Sequence, residues 1–168
     1  MRIQGVVDNN VWPARMGVTA RVWNLYRGLA FRRPEVEAVT VVSALKSRER
    51  APKREEREGV TIVRIKAWHP TLFAWLERAG VAPLSLVAEG HRRLPGLITR
   101  AFDPAADVLE GDSLNLTPLL AHARPGALKV YGAQNVEAEW FERVGSGVSR
   151  RAGWVKRLEA LEREALAA

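Results

Sequence analysis

Apolar residues in this chain come in short runs separated by stretches of helical period, and that alternation predicts a domain of interleaved strands and helices. Residues 2–7 (Arg-Ile-Gln-Gly-Val-Val) form a brief apolar run closed by Asp8-Asn9-Asn10, the pattern of a buried strand entering a loop. Val18, Val22, Leu25 and Leu29 recur at i, i+4, i+7 and i+11, which predicts a helix over 17–32 with those four side chains facing inward. Pro34 ends it. Residues 36–42 are β-branched and predict a second strand, and 59–65 a third with partial alternation. Between them, 46–58 holds six basic and four acidic residues and reads as a solvated, mobile loop.

The second half repeats the pattern. Residues 71–79 and 84–93 have helical character, separated by Gly80 and Pro83, and Pro95-Gly96 breaks the second. Residues 106–110 predict a fourth strand, 113–123 a helix, 128–131 a fifth strand, and 135–143 and 150–167 two further helices. On the last, Trp154, Leu158, Leu161 and Ala165 share a stripe. Strands alternating with helices imply an α/β fold, a Rossmann-like parallel sheet with helices on both faces, formed as one domain over 1–168. Ligands are expected outside the carboxyl ends of such strands.

Composition narrows the classes. No run approaches the roughly 20 apolar residues of a membrane span, and the polar start Met-Arg-Ile-Gln is unlike a secretory signal. With 0 cysteines the chain offers no disulfide or thiolate metal site, which fits a cytoplasmic setting. A net charge of +7 would attract phosphates, anionic lipid headgroups or nucleic acid. Zinc-finger spacing, the aromatic signature of RNA-recognition domains and a basic zipper are all missing, so nucleic acid is not the expected partner. His69, His91 and His122 lie far apart without metal-ligand spacing.

Three places could carry chemistry. The turn from Asp8 to Val18 opens the first helix, whose free amide groups can meet an anion, and Gly17 permits close backbone approach beside the charge of Arg15. A plain helix start would also accept a glycine there. The turn carries no G-x-G-x-x-G, which disfavours a nicotinamide or flavin cofactor. At the ends of the fourth and fifth strands stand Glu110 with Asp112, and Gln134, Asn135 and Glu137. Paired carboxylates serve as acid and base or as turn residues, and Asn135 also suits a helix cap. Finally, Leu72, Trp75, Leu76 and Ala79 share a helical stripe, with Trp68 and Phe73 outside it. This is either core packing or an exposed aromatic patch for a lipid interface.

Val130-Tyr-Gly-Ala-Gln-Asn-Val-Glu-Ala-Glu-Trp140 followed by Leu158-Glu-Ala-Leu-Glu-Arg-Glu-Ala-Leu166 resembles the end of the N-terminal domain of retaining GT-B glycosyltransferases. The match lies at Asn135, Val136, Glu137 and 161–166, with the glycine at 17 in support, and the layout agrees over the whole chain. The resemblance implies transfer of a sugar from a nucleotide-sugar donor to the hydroxyl of a carbohydrate or lipid-linked acceptor, without metal or other cofactor. It implies that Gly17, with Arg15 nearby, meets the donor phosphates. Gln134, Asn135, Glu137 and Asp112 would then face the donor and acceptor sugars, for whose hydroxyls amides and carboxylates are suited. Gln134 stands where the family commonly has histidine; it hydrogen-bonds but does not titrate near neutrality, so an imidazole's proton chemistry does not carry over. The family's second, donor-binding domain is expected to lie beyond this chain. This fragment alone is expected to be inactive, and peripheral membrane contact is compatible with the aromatic segment. A non-enzymatic basic module that binds nucleic acid or a membrane surface is the alternative.

Overall fold

A computed structural model describes residues 1–8, 10–14, 17–46, 50–68, 71–72, 75, 96–132 and 151–167. Six strands form one sheet: β1 (Arg2–Val7), β2 (Ala38–Lys46), β3 (Arg54–Arg57), β4 (Val60–Ala67), β5 (Val108–Gly111) and β6 (Leu128–Tyr131), in the order β3-β4-β2-β1-β5-β6. All neighbours are parallel except β3 and β4, so the fold is α/β and Rossmann-like with a mixed sheet. β1 sits centrally. From it the chain winds outward through β2 and β4, then returns to the other side for β5 and β6, so the order reverses between β1 and β5.

Both faces of the sheet are covered. Ile3 and Val7 point to one face and pack with Val39, Val41, Val60 and Ile62 beneath helix α1 (Gly17–Arg32). Val6, Val42 and Leu109 point to the other. There they meet Ile98 of a single helical turn, α2 (Gly96–Thr99), and Leu116, Leu119 and Leu120 of a 3-10 helix (Leu114–His122). Helix α3 (Arg151–Ala167) adds Leu158, Leu161 and Ala165 against Leu114 and Tyr131. The described side chains of the expected stripe on α3 are therefore buried, and Trp154 lies outside them.

Several expectations need correction. Within the segment read as a mobile loop, Arg54-Glu-Glu-Arg57 forms edge strand β3, paired antiparallel to β4 across a turn at Glu58 and Gly59 (φ 48 and 74). Its charged composition hid it, but both ends are anchored: a two-residue turn with positive φ suits a tight hairpin, and Glu55 reaches a buried arginine described below. Helix α1 buries Thr19, Val22, Trp23 and Tyr26; of the expected aliphatic series Val22 is buried and Leu29 packs against the same cluster, whereas Leu25 is 49% exposed. The inner stripe follows i, i+3, i+4 and i+7 with aromatics at its centre. The helix expected at 113–123 is wound as a 3-10 helix. Pro118 lacks the N–H that would close an α-turn onto the Leu114 carbonyl, and that oxygen accepts the Thr117 hydroxyl instead (2.9 Å). Gly96 begins a separate helical turn, Gly96–Thr99. The helices expected at 84–93 and 135–143 fall outside the described residues. Among the described residues no helix is long and apolar enough to cross a membrane.

Candidate functional site at the switch between the central strands

Where strand order reverses in a doubly wound sheet, the two crossovers leave on opposite faces and open a crevice beyond the strand ends. Here that point lies between the ends of β1 and β5, and three polar side chains meet across it. The Asp8 carboxylate, following β1, accepts hydrogen bonds from Ser113 Oγ (3.1 Å) and Asn115 Nδ2 (3.3 Å), which follow β5. Asp112 is buried beside them, and its backbone N–H donates to the Val6 carbonyl (3.0 Å), extending the β1–β5 ladder past Gly111. Gly132 extends the β5–β6 ladder likewise, donating to the Gly111 carbonyl (2.9 Å).

Below this rim lies a buried acid. Glu110 of β5 is 7% exposed on the α1 face, and its Oε2 accepts the hydroxyl of Tyr26 from α1. Two glycines create its space. A β-carbon at Gly5, the register partner of Glu110, would overlap the Tyr26 phenol, and one at Gly132 would overlap Glu110 Oε1. Burial, helped by the nearby Asp112 charge and opposed by Arg21, raises the Glu110 carboxyl to about 8, so it holds its proton at neutral pH. Glu110 is thus a hydrogen-bonding acid under the crevice floor, while Asp8 is a rim carboxylate held in a polar network.

The loop that joins β1 to α1 is clamped. Arg64 of β4, 3% exposed, donates from Nε to Asn10 Oδ1 (2.8 Å), from Nη2 to the Trp12 carbonyl (3.1 Å) and from Nη1 to the Pro52 carbonyl (3.1 Å). Glu55 of β3 balances its charge at 3.1 Å. Burial pushes the Glu55 carboxyl up, but Arg64 and Arg57 together hold it below the usual range. Val11 is buried, and the Trp12 ring stacks at a tilt on Trp23 of α1 (centroids 4.9 Å apart). With the loop pinned at 10–12, α1 begins at Gly17 on the crevice side. Gly17 is exposed, among the described residues no atom beyond its chain neighbours and its own helix backbone lies within 4 Å of where its β-carbon would be, and the first turn carries no acidic residue to offset the helix dipole.

Of the residues expected to form the site, Gly17 stands at the open start of α1 and Asp112 at the end of β5. Arg15, Gln134, Asn135 and Glu137 lie outside the described residues. Sequence reasoning named Asp8 only as the start of the turn and passed over Ser113, Asn115, Tyr26 and Arg64. For Arg64 a signal existed, a lone cation inside an apolar strand run; for the others the partners are far apart in the chain. Among the described residues no group of three or more His, Cys, Asp or Glu side chains is placed to hold a metal ion. In the aromatic segment Trp68, Leu72 and Trp75 are exposed by 58%, 40% and 65%, so the core reading fails for these three. No family model, no curated protein and no solved structure matches this chain.

Proposed function

We propose that this chain is the acceptor-side, N-terminal domain of a retaining glycosyltransferase of GT-B type, which transfers a sugar from a nucleotide-sugar donor to an acceptor hydroxyl. The observation that carries the reading is the start of α1 at Gly17, clear of other described side chains and at the same strand-end side of the sheet as Asp8, Ser113 and Asn115. Free amides at a helix start bind a diphosphate and stabilise the charge that grows on it as the glycosidic bond breaks. The Asp8 network and Asp112 offer the mixed acceptors and donors that sugar hydroxyls require. The match at Asn135 to Glu137 and at 161–166 supports the same assignment, and the family's pattern puts most donor contacts on a second domain.

Transfer assayed with uridine- and guanosine-diphosphate sugars tests the reading. Residues 1–168 alone are expected to show no turnover, and the protein carrying a donor-binding domain is expected to show it. In that protein Gly17→Val should keep the fold, since its side chain meets open space. It should lower kcat/KM roughly tenfold to a hundredfold, the loss of one charge-assisted contact of ~1.5–3 kcal/mol. Normal kinetics in a folded Gly17→Val variant would refute the phosphate role, and turnover by residues 1–168 alone would refute the two-domain reading.

A second reading rests on the exposed Trp68, Leu72 and Trp75 on a chain of net charge +7: contact with an anionic membrane surface. Each nearby basic residue contributes on the order of 1 kcal/mol, screened by salt, whereas inserted aromatics add an apolar attraction that salt leaves intact. The protein is expected to pellet with phosphatidylserine vesicles at low salt, weakly with phosphatidylcholine alone, and less after Trp68→Ser/Trp75→Ser. Equal pelleting of that variant would exclude the aromatic segment from the contact.

A further inference from the structure

On the face of the sheet opposite α1, a cavity of about 650 Å³ lies between β4 and the single turn α2. Part of its lining is aliphatic. Val63 and Ile65 of β4 and Ala101 pack against the core on that face, and Leu97 of α2 stands beside them, 37% exposed. Lys53, Lys66 and Arg100 line the same cavity, and all three are exposed, so their charged ends are within reach of a solute. Among the described lining residues there is no acid. In the sheet, β2 stands between this place and the crevice at the end of β1. The volume is that of a ligand site, where an apolar lining is combined with a few polar groups that fix orientation.

Single lysines and arginines on a surface are ordinary; here three of them border one apolar hollow. Arg64 also lines it, but its guanidinium is buried and matched by Glu55 at 3.1 Å, so that charge belongs to the fold. Among the described residues Lys53, Lys66 and Arg100 have no ion-pair partner. A guest that suits the whole site needs both negative charge and apolar length. Inorganic phosphate would leave the aliphatic lining wet, and an alkane would leave the cations without a counter-charge. A phosphomonoester carries close to two negative charges and three acceptor oxygens, which match three cations better than a carboxylate does. Arg100 can meet it through two parallel N–H groups, and the lysines meet it as point charges.

We propose that this cavity binds a phosphomonoester carried on an aliphatic chain, with the phosphate among Lys53, Lys66 and Arg100 and the chain along Val63, Ile65 and Leu97. The site is separate from the crevice and rests on neither the glycosyltransferase nor the membrane reading.

Octyl phosphate, inorganic phosphate and octanol serve as probes: both features together, the charge alone and the chain alone. Binding is followed by calorimetry and by the methyl signals of Val63, Ile65 and Leu97 in ¹³C-labelled protein. Octyl phosphate is expected to shift those signals and to bind at least tenfold more tightly than either other probe. Butyl and hexyl phosphate should fall below it, by roughly threefold to fourfold for each CH₂ removed. The double variant Lys66→Gln/Arg100→Gln alters exposed positions and should fold normally, yet bind octyl phosphate about tenfold more weakly at low salt. Methyl signals that stay unmoved, or unchanged affinity in the folded double variant, would overturn the site. Octanol binding as tightly as octyl phosphate would overturn the role of the cations, and inorganic phosphate doing so would overturn that of the aliphatic lining. Phosphatidylcholine vesicles with and without phosphatidic acid distinguish the sources of such a ligand. Pelleting that needs phosphatidic acid and falls in the double variant supports the site with a lipid headgroup as its guest. Octyl phosphate binding without such pelleting supports it with a soluble alkyl phosphate.

Discussion

Gly5→Ala is expected to destabilise the fold by about 1–3 kcal/mol or more, and Gly5→Val to prevent folding. Glycine inside a central strand is ordinarily a weakness, because it adds chain entropy and packs nothing. Here its bare α-carbon makes room for the Tyr26 phenol, which any β-carbon would overlap. Neither side can yield easily. Gly5 is held on both edges by β2 and β5, and Tyr26 is 1% exposed beneath α1. Denaturant unfolding of Gly5→Ala, Tyr26→Leu and the double variant checks the cause. Replacing the ring relieves the overlap, so the double variant should be less destabilised than the two single effects added together. Strict additivity would mean that the Tyr26 ring is not what Gly5 accommodates.

The second large effect concerns pH. Because the folded protein raises Glu110 from an ordinary 4.5 to about 8, it binds one proton more than the unfolded chain between those values. Stability should therefore fall as pH rises through that window, by up to about 1.4 kcal/mol per pH unit from this group, and level off above it. Below pH 4.5 both states are protonated and the contribution vanishes. Glu110→Gln keeps an acceptor for the Tyr26 hydroxyl and removes the titration. The variant should match the wild type near about pH 4, exceed it at about pH 9, and lose the slope between. Unfolding midpoints across this range decide the matter, and parallel curves for the two proteins would show that Glu110 ionises in the folded state as it does in the unfolded one.

Much of the architecture was legible because burial on both faces writes apolar runs into parallel strands: Val39 to Val42 and Val60 to Ile65 announce themselves. β3 did not, since Arg-Glu-Glu-Arg has no apolar face and pairs through a turn and through Glu55 meeting Arg64. The inner face of α1 was legible only in part: Val22 and Leu29 of the aliphatic stripe do meet the core, but Leu25 does not, and Trp23 and Tyr26 fill the larger space above Gly5 and the loop. For the site, the strand ends and Gly17 could be found from turn chemistry alone. The pairs that give them character join residues 84, 105 and 107 positions apart, Tyr26 to Glu110 and Asp8 to Ser113 and Asn115. No local spacing encodes such pairs; only the winding of the sheet brings them together.

Arg64 has a consequence for how the molecule opens. One guanidinium ties the loop after β1, the chain before β3 and the edge strand itself, across 54 positions in sequence. Amide hydrogen exchange in such an arrangement proceeds through shared openings, because freeing any of these segments strips partners from the same buried charge. The hairpin of β3 and β4 and the backbone at 10–12 should therefore exchange as one unit. The loop that aims α1 at the crevice would then be no more rigid than a four-residue edge strand.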